Sequence, residues 1–424
     1  MVLYNLGEFI RYTLEEEKWK YRDYLYTGNR VTDTLFNEVF TPPNPSCLSE
    51  PLLLLVSFKV LTHFKDNSNN MFSVSHCRLA PSAFLFLLLL LCSCGVHAAY
   101  SETLAKSALY FSKASYCDVP SIDNWSCESC HKLTSFHVTK VFTNHSYGTL
   151  AYMGVSEDRI VISFRGSENI PNWISNMKFG KETYPNATCK GCSVHIGFYH
   201  SFLSLRNEMW VELQRLVAEY PRRPVLITGH SLGGAMAVLA AADFAAQAYA
   251  TGTVPQFELY TFGAPRVGND AFTAWMAALF CSGKHEAYRV THNRDVVPHL
   301  PPMLFGFEQT AGEVWYSGDG EGNYRTCSDV TGANCSSEKV EEDSKCSNSL
   351  YPISVSDHLE YLGVCTSCSC RKRRTRSLEE ANELSPRLKW LVILDHMYQH
   401  GGKGGNTQIF ADFMSGFMDK DATK

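Results

Sequence analysis

The chain has 424 residues, of which 45% are hydrophobic, 12% aromatic and 19% charged. That composition supports a large core, excludes a mainly disordered chain, and fits one large domain or two modest ones. With 38 Lys and Arg against 43 Asp and Glu, the net charge is −5; a grip on phosphate backbones would show a basic excess, so no nucleic-acid partner is expected. Sixteen cysteines are too many for an ordinary cytosolic enzyme and point to an oxidising compartment or to metal.

Residues 1–70 contain a Tyr- and charge-rich opening (Lys18 to Tyr26), a Pro-rich break at Thr41-Pro-Pro-Asn-Pro45 and an apolar run from Pro51 to Val60, with no motif. Residues 71–98 follow the order of a secretory signal peptide: Met71, a short stretch with Arg78, the unbroken apolar run Ala83 to Leu91, then small residues up to Ala98. A bilayer span needs roughly 20 apolar residues, about twice this run, so no stable transmembrane anchor is expected. The position of this signal predicts Met71 as the working initiator, with 1–70 an over-extended reading frame; a signal-anchor or a genuine extension are the alternatives. The main folded domain is expected over 99–370. Beyond it, 371–424 reads as a tail: the basic run Arg371 to Arg376, a helical pattern with Leu384, Leu388, Leu391 and Ile393 on one side, and a Gly-rich break at 401–405. The basic run is either a processing site or anionic-surface patch, or simply a solvated tail with a docked helix. Four sequons, at Asn124, Asn144, Asn186 and Asn334, fit a glycosylated secreted or lumenal protein.

Within 99–370, Ile160 to Phe164 reads as a strand ending in Arg165-Gly-Ser167. Val225-Leu-Ile-Thr228 reads as a buried parallel strand and Ala235 to Ala250 as a strong helix. Between the latter two lies Gly229-His-Ser231-Leu-Gly233. A chance G-x-S-x-G in a chain this long has odds of roughly one in seven, but a strand before it and a helix after it make it a nucleophile elbow. Ser231 must stand on a strained turn to project Oγ, and side chains at 229 or 233 would collide with the neighbouring strand and helix. In this arrangement the acid and histidine follow in chain order. Asp295 sits where the strand pattern from Tyr288 meets a polar turn closed by Pro298, Pro301 and Pro302. Among later histidines, His299 is too close to reach from a separate loop, and His396 and His400 fall in the tail. His358, on the polar turn Ser356-Asp-His-Leu359, is the expected base. The backbone N–H of Leu232 and a second donor from the Ser167 loop would hold the oxyanion.

Over roughly residues 100–365 the sequence resembles the class 3, filamentous-fungal type triacylglycerol lipases, a branch of the α/β-hydrolases. The resemblance rests on Phe164-Arg-Gly-Ser167, Ile170-Pro-Asn-Trp173-Ile-Ser-Asn176, Val194-His-Ile-Gly-Phe198, Gly229-His-Ser-Leu-Gly-Gly234, Tyr260-Thr-Phe-Gly-Ala-Pro-Arg-Val-Gly-Asn269, Arg294-Asp-Val-Val-Pro298 and Asp357-His-Leu-x-x-Tyr361. It implies an α/β fold with a mostly parallel central sheet, helices on both faces and a short helical lid at 168–177. It implies the triad Ser231, Asp295 and His358, an oxyanion hole of Ser167 and Leu232, and disulfides Cys117–Cys365, Cys127–Cys130 and Cys189–Cys192. The lid stripe Ile170, Trp173, Ile174 and Met177 recurs at helical spacing, with Asn172 and Asn176 interleaved; an ordinary core-facing helix would show the same spacing. Cys281, Cys327, Cys335, Cys346, Cys368 and Cys370 depart from the family pattern, in and around a Gly/Ser-rich insert at 317–350, and their pairing stays open. Zinc is the rival for the C-x-x-C pairs, but those pairs lie too far apart for a usual site, so no metal is expected.

The sequence therefore predicts a secreted serine ester hydrolase, extracellular or in a lysosomal or other endomembrane lumen, that works without cofactor on lipid esters at a lipid–water interface. A phospholipase A1 or a feruloyl-type esterase is the alternative. A silent binding protein or a peptidase on the same fold finds less support.

Overall fold

Eight strands form one sheet whose spatial order repeats their chain order: β1 (Phe136–Asn144), β2 (Thr149–Ser156), β3 (Ile160–Phe164), β4 (Val225–His230), β5 (Phe257–Phe262), β6 (Glu286–His292), β7 (Glu313–Tyr316) and β8 (Tyr324–Thr326). In this computed structural model, residues 100–400 are described except 134, 171, 174–176, 253, 284, 328–339, 371–383 and 385. The expected extension 1–70, the signal peptide 71–98 and the segment from 401 lie outside the described residues.

β1, β2 and β3 pair antiparallel through short turns, and β8 returns antiparallel to β7. From β3 to β7 every pairing is parallel. A parallel neighbour requires a crossover. Three of the crossovers contain long helices: α2 (Ile196–Glu219) before β4, α3 (Leu232–Thr251) before β5 and α4 (Asp270–Gly283) before β6. Helices cover both faces, so β3, β4 and β5 are buried along their whole length.

The pleat splits the core in two. Ile160, Ile162, Val225, Ile227, Phe257 and Leu259 join α2, α3 and α4 on one face. Val161, Leu226, Tyr260 and Phe262 join Ala105, Ala108 and Leu109 of α1 (Glu102–Ala114) on the other. Among the described residues one helix, α3, is long and apolar enough to cross a membrane, and its Ala-rich length is packed into the core behind β4.

The structure contains Cys127–Cys130 and Cys189–Cys192. The pairing implied for Cys117 needs correction: its partner is Cys368, not Cys365. Cys365 pairs with Cys370 in its own strand-end segment. Cysteines at 368 and 370, absent from the family pattern, supply both new partners. Cys327–Cys346 clips the insert, and Cys281 is also disulfide-bonded.

The C-terminal helix α5 (Pro386–His400) packs against the turn Met303–Phe305. Leu384, Leu388, Leu391 and Val392 are buried, as is Asp395. Three of the four residues expected on one side are thus covered; Ile393 is only half-buried.

Candidate active site

The elbow sits at the carboxyl end of β4. Ser231 has φ 59° and ψ −130°, a left-handed conformation held by its N–H donating to the Phe262 carbonyl at 2.9 Å. The two glycines explain why the turn can be this tight: a Cβ on Gly229 would strike the Gly233 carbonyl, and a Cβ on Gly233 would strike the Phe164 carbonyl. α3 begins at Leu232, directly after the serine. A positive helix end with unpaired N–H groups therefore lies beneath Ser231.

Asp295 follows β6 and lies 2% exposed. Its Oδ1 accepts from the Val297 N–H at 2.9 Å. Its Oδ2 faces His358 Nδ1 at 2.8 Å and also accepts from the Tyr361 hydroxyl. Since the carboxylate already accepts from two other donors, His358 Nδ1 carries the hydrogen, which leaves Nε2 as the lone-pair nitrogen. His358 stands on the single turn Asp357–Leu359 and is fully buried, not an exposed loop residue. Ser231 Oγ and His358 Nε2 are both buried without a hydrogen-bond partner among the described residues. They are the donor and acceptor that a proton transfer from serine to histidine needs.

Two residues of this network carry no sequence signal beyond their place in the family motifs. Burial and the neighbouring Asp295 hold the Tyr361 phenol far above its ordinary range, so it remains a donor. His230, held neutral by burial and then by His358, donates from Nε2 to the His358 carbonyl at 2.7 Å. Its Nδ1 then accepts from Tyr116 at 2.8 Å. The other downstream histidines lie elsewhere: His299 is buried, and burial followed by Arg266 lowers it to about 3; His396 packs on Tyr351 at 4.0 Å between ring centroids.

Ser167 and Leu232, both half-buried, line one cleft of about 850 Å³ together with Trp173, Met177, Phe198 and Met236. The Ser167 loop is pressed against the elbow, since a Cβ on Gly166 would strike Tyr116 and the His230 carbonyl. Ile170 and Met177 are buried and Trp173 half-buried, its ring 6.1 Å from that of Phe198; Asn172 is exposed. Ile174 and Asn176 lie outside the described residues.

The parallel sheet and the strand–elbow–helix at Ser231 define an α/β-hydrolase. The sequence profile "Lipase (class 3)" matches residues 161–305. A lipase of Rhizomucor miehei is 35% identical over 280 residues, covering 64% of this chain and 72% of that protein. A secreted mono- and diacylglycerol lipase of Fusarium solani is 40% identical over 174 residues, 40% of this chain and 48% of that protein. The solved structure of a triacylglycerol lipase, whose catalytic centre is a serine-protease triad, superposes with a TM-score of 0.56 at 34% identity, over 64% of this chain and 99% of that chain. The chain belongs to the class 3 lipase family and is an ester hydrolase.

Proposed function

We propose that this protein is an extracellular lipase that cleaves acyl esters of glycerides, with Ser231 as nucleophile, His358 as general base and then acid, and Asp295 as the group that orients the imidazole. The observation that carries this reading is the pair of buried, unpartnered atoms Ser231 Oγ and His358 Nε2, backed by the Asp295 hydrogen bond to the ring. Ser231 Oγ attacks the ester carbonyl as its proton moves to His358 Nε2, and the oxyanion takes hydrogen bonds from the Ser167 and Leu232 N–H groups. The C–O bond to glycerol breaks, the leaving oxygen takes the proton from His358, and an acyl-enzyme remains. Water, deprotonated by His358, attacks that acyl carbon; fatty acid departs and Ser231 regains its proton.

Lipid substrates are favoured by the apolar residues Ile170, Trp173 and Met177 just after Ser167, two of which line its cleft, and by a triad at most 2% exposed; such a segment, acting as a lid, opens most readily against an apolar interface. Secretion and glyceride hydrolysis by the relatives named above point the same way. We assign the hydrolase to 99–370 with 371–424 as its tail, and read Asn124, Asn144 and Asn186 as glycan acceptors; Asn334 lies outside the described residues. The test is Ser231→Ala in the full chain, assayed on emulsified triglyceride, phospholipid and aryl esters. Turnover should fall by at least about 10³-fold with folding intact. Retained activity would refute the triad, and wild-type preference for phospholipid or aryl ester would redirect the substrate assignment.

A further inference from the structure

The loop that carries the acid, residues 295–302, is fixed from outside by an unusual set of bonds. The Pro298 carbonyl accepts from Gln309 Nε2 at 2.8 Å, the His299 and Pro301 carbonyls from Arg266 Nη1 at 2.6 and 3.1 Å, and the Leu300 carbonyl from the Arg266 N–H at 2.7 Å. Four consecutive carbonyls are thus held by two residues, and Arg266 holds three of them. Arg266 follows β5, whose last carbonyl receives the Ser231 N–H. It therefore stands between the nucleophile's strand and the acid's loop.

Arg266 has no solvent exposure. A cation there needs buried counter-charge, and two carboxylates supply it. Glu342 binds Nε and Nη2 at 2.8 and 2.9 Å, and Asp395 of α5 binds Nη1 at 3.0 Å. Asp395 does a second thing: its Oδ1 accepts from the Met303 N–H at 2.5 Å, one residue beyond the acid loop. Gln399, one turn on, donates to Oδ2 at 2.9 Å. A side chain 100 residues past Asp295 in sequence thus ties both the guanidinium that grips the loop and the backbone where the loop ends.

We infer that Asp395 is a positioning residue for Asp295: through Arg266 and Met303 it fixes the acid loop, which makes the C-terminal helix α5 a working part of the hydrolase. This rests on the triad reading above. Displacing a carboxylate by a fraction of an ångström from His358 weakens orientation and imidazolium stabilisation while leaving the ester-binding cleft beside Ser167 untouched. The signature is a fall in kcat at constant KM.

The experiment uses the full secreted chain as wild type, Asp395→Asn and Asp395→Glu, compared at equal folded fraction by circular dichroism. It measures kcat and KM on emulsified tributyrin, the acid limb of kcat/KM, and the rate at which a p-nitrophenyl alkylphosphonate labels Ser231. For Asp395→Asn, kcat and labelling should fall about tenfold. KM should stay within about twofold and the acid limb should shift. Asp395→Glu should recover much of the loss. Wild-type kcat and labelling in Asp395→Asn overturn the inference, as does a loss with an unmoved acid limb, and as does a gain in activity, which would make α5 a brake. If Asp395→Asn fails to fold, Gln399→Leu is read instead: it keeps the ion pair but removes the amide that steadies Asp395. A kcat about threefold down with a displaced acid limb supports the assignment; wild-type values overturn it. A wild-type enzyme whose Ser231 is not labelled overturns the triad reading itself, whereas equal labelling of wild type and variant overturns the positioning role alone.

Discussion

Ser231 is placed chiefly by its own neighbours: a buried strand before it, a helix after it, Gly229, whose missing side chain lets that strand and helix close on one another, and Gly233, which lets the helix start approach the end of β3. Asp295 and His358 are placed mostly by residues far from them in sequence, with Val297 and Tyr361 the nearby exceptions. Val297, Tyr361, Arg266, Gln309, Glu342 and Asp395 all bear on them, and these span more than a hundred positions of sequence. One half of the site is built from local backbone geometry, the other from a network of side chains. A local device fails all at once, whereas a network weakens member by member.

The largest effect should come from the local side. Gly229→Ala puts a Cβ into the Gly233 carbonyl, and neither backbone can yield without moving the elbow. A loss of about 3 kcal/mol in the urea-unfolding free energy is expected, with activity lost as well. A mild variant would mean that strand and helix can part, and the contrast between the two halves would narrow.

On the network side, acid should act through His299. Its folded pKa of about 3 lies below the ordinary value of 6.5, so the unfolded chain binds a proton that the folded one refuses. Stability is therefore full above about pH 6.5 and declines as pH falls towards 3. Between pH 7 and 5 the decline from this group is about 2 kcal/mol. Thermal melts of His299→Gln should show a flatter pH dependence than wild type; identical slopes would remove His299 from the account.

The smallest effect is expected from Tyr361→Phe. Asp295 keeps its bonds to His358 and Val297, so kcat should fall about tenfold while KM and melting temperature barely change. A fall of a thousandfold would show that the network, like the elbow, depends on a single part.

The same contrast decides which parts of the fold and site are legible in the amino-acid sequence. Gly229, Ser231 and Gly233 announce themselves because local geometry demands those residue types at that spacing. The fold class follows from the strand and helix patterns around them together with the family resemblance. Asp295 and His358 are legible as ends of local patterns in a known order. Tyr361, His230 and the Arg266 ion pairs are not, because nothing in a local pattern says which distant carboxylate will meet a buried guanidinium. The partner of Cys117 is misread for the same reason: Cys365 and Cys368 are close enough in sequence that only the folded chain decides between them.

The Cys117–Cys368 bond joins positions 251 apart and encloses every strand of the main sheet. A cross-link of that span narrows the unfolded ensemble by about 5 kcal/mol in the chain-entropy account. α5 begins at Pro386, beyond the loop, and has no share in that restraint. Like α1 (Glu102–Ala114), which precedes Cys117, it stays docked only by the contacts it makes, so it can leave its place without the cross-link breaking.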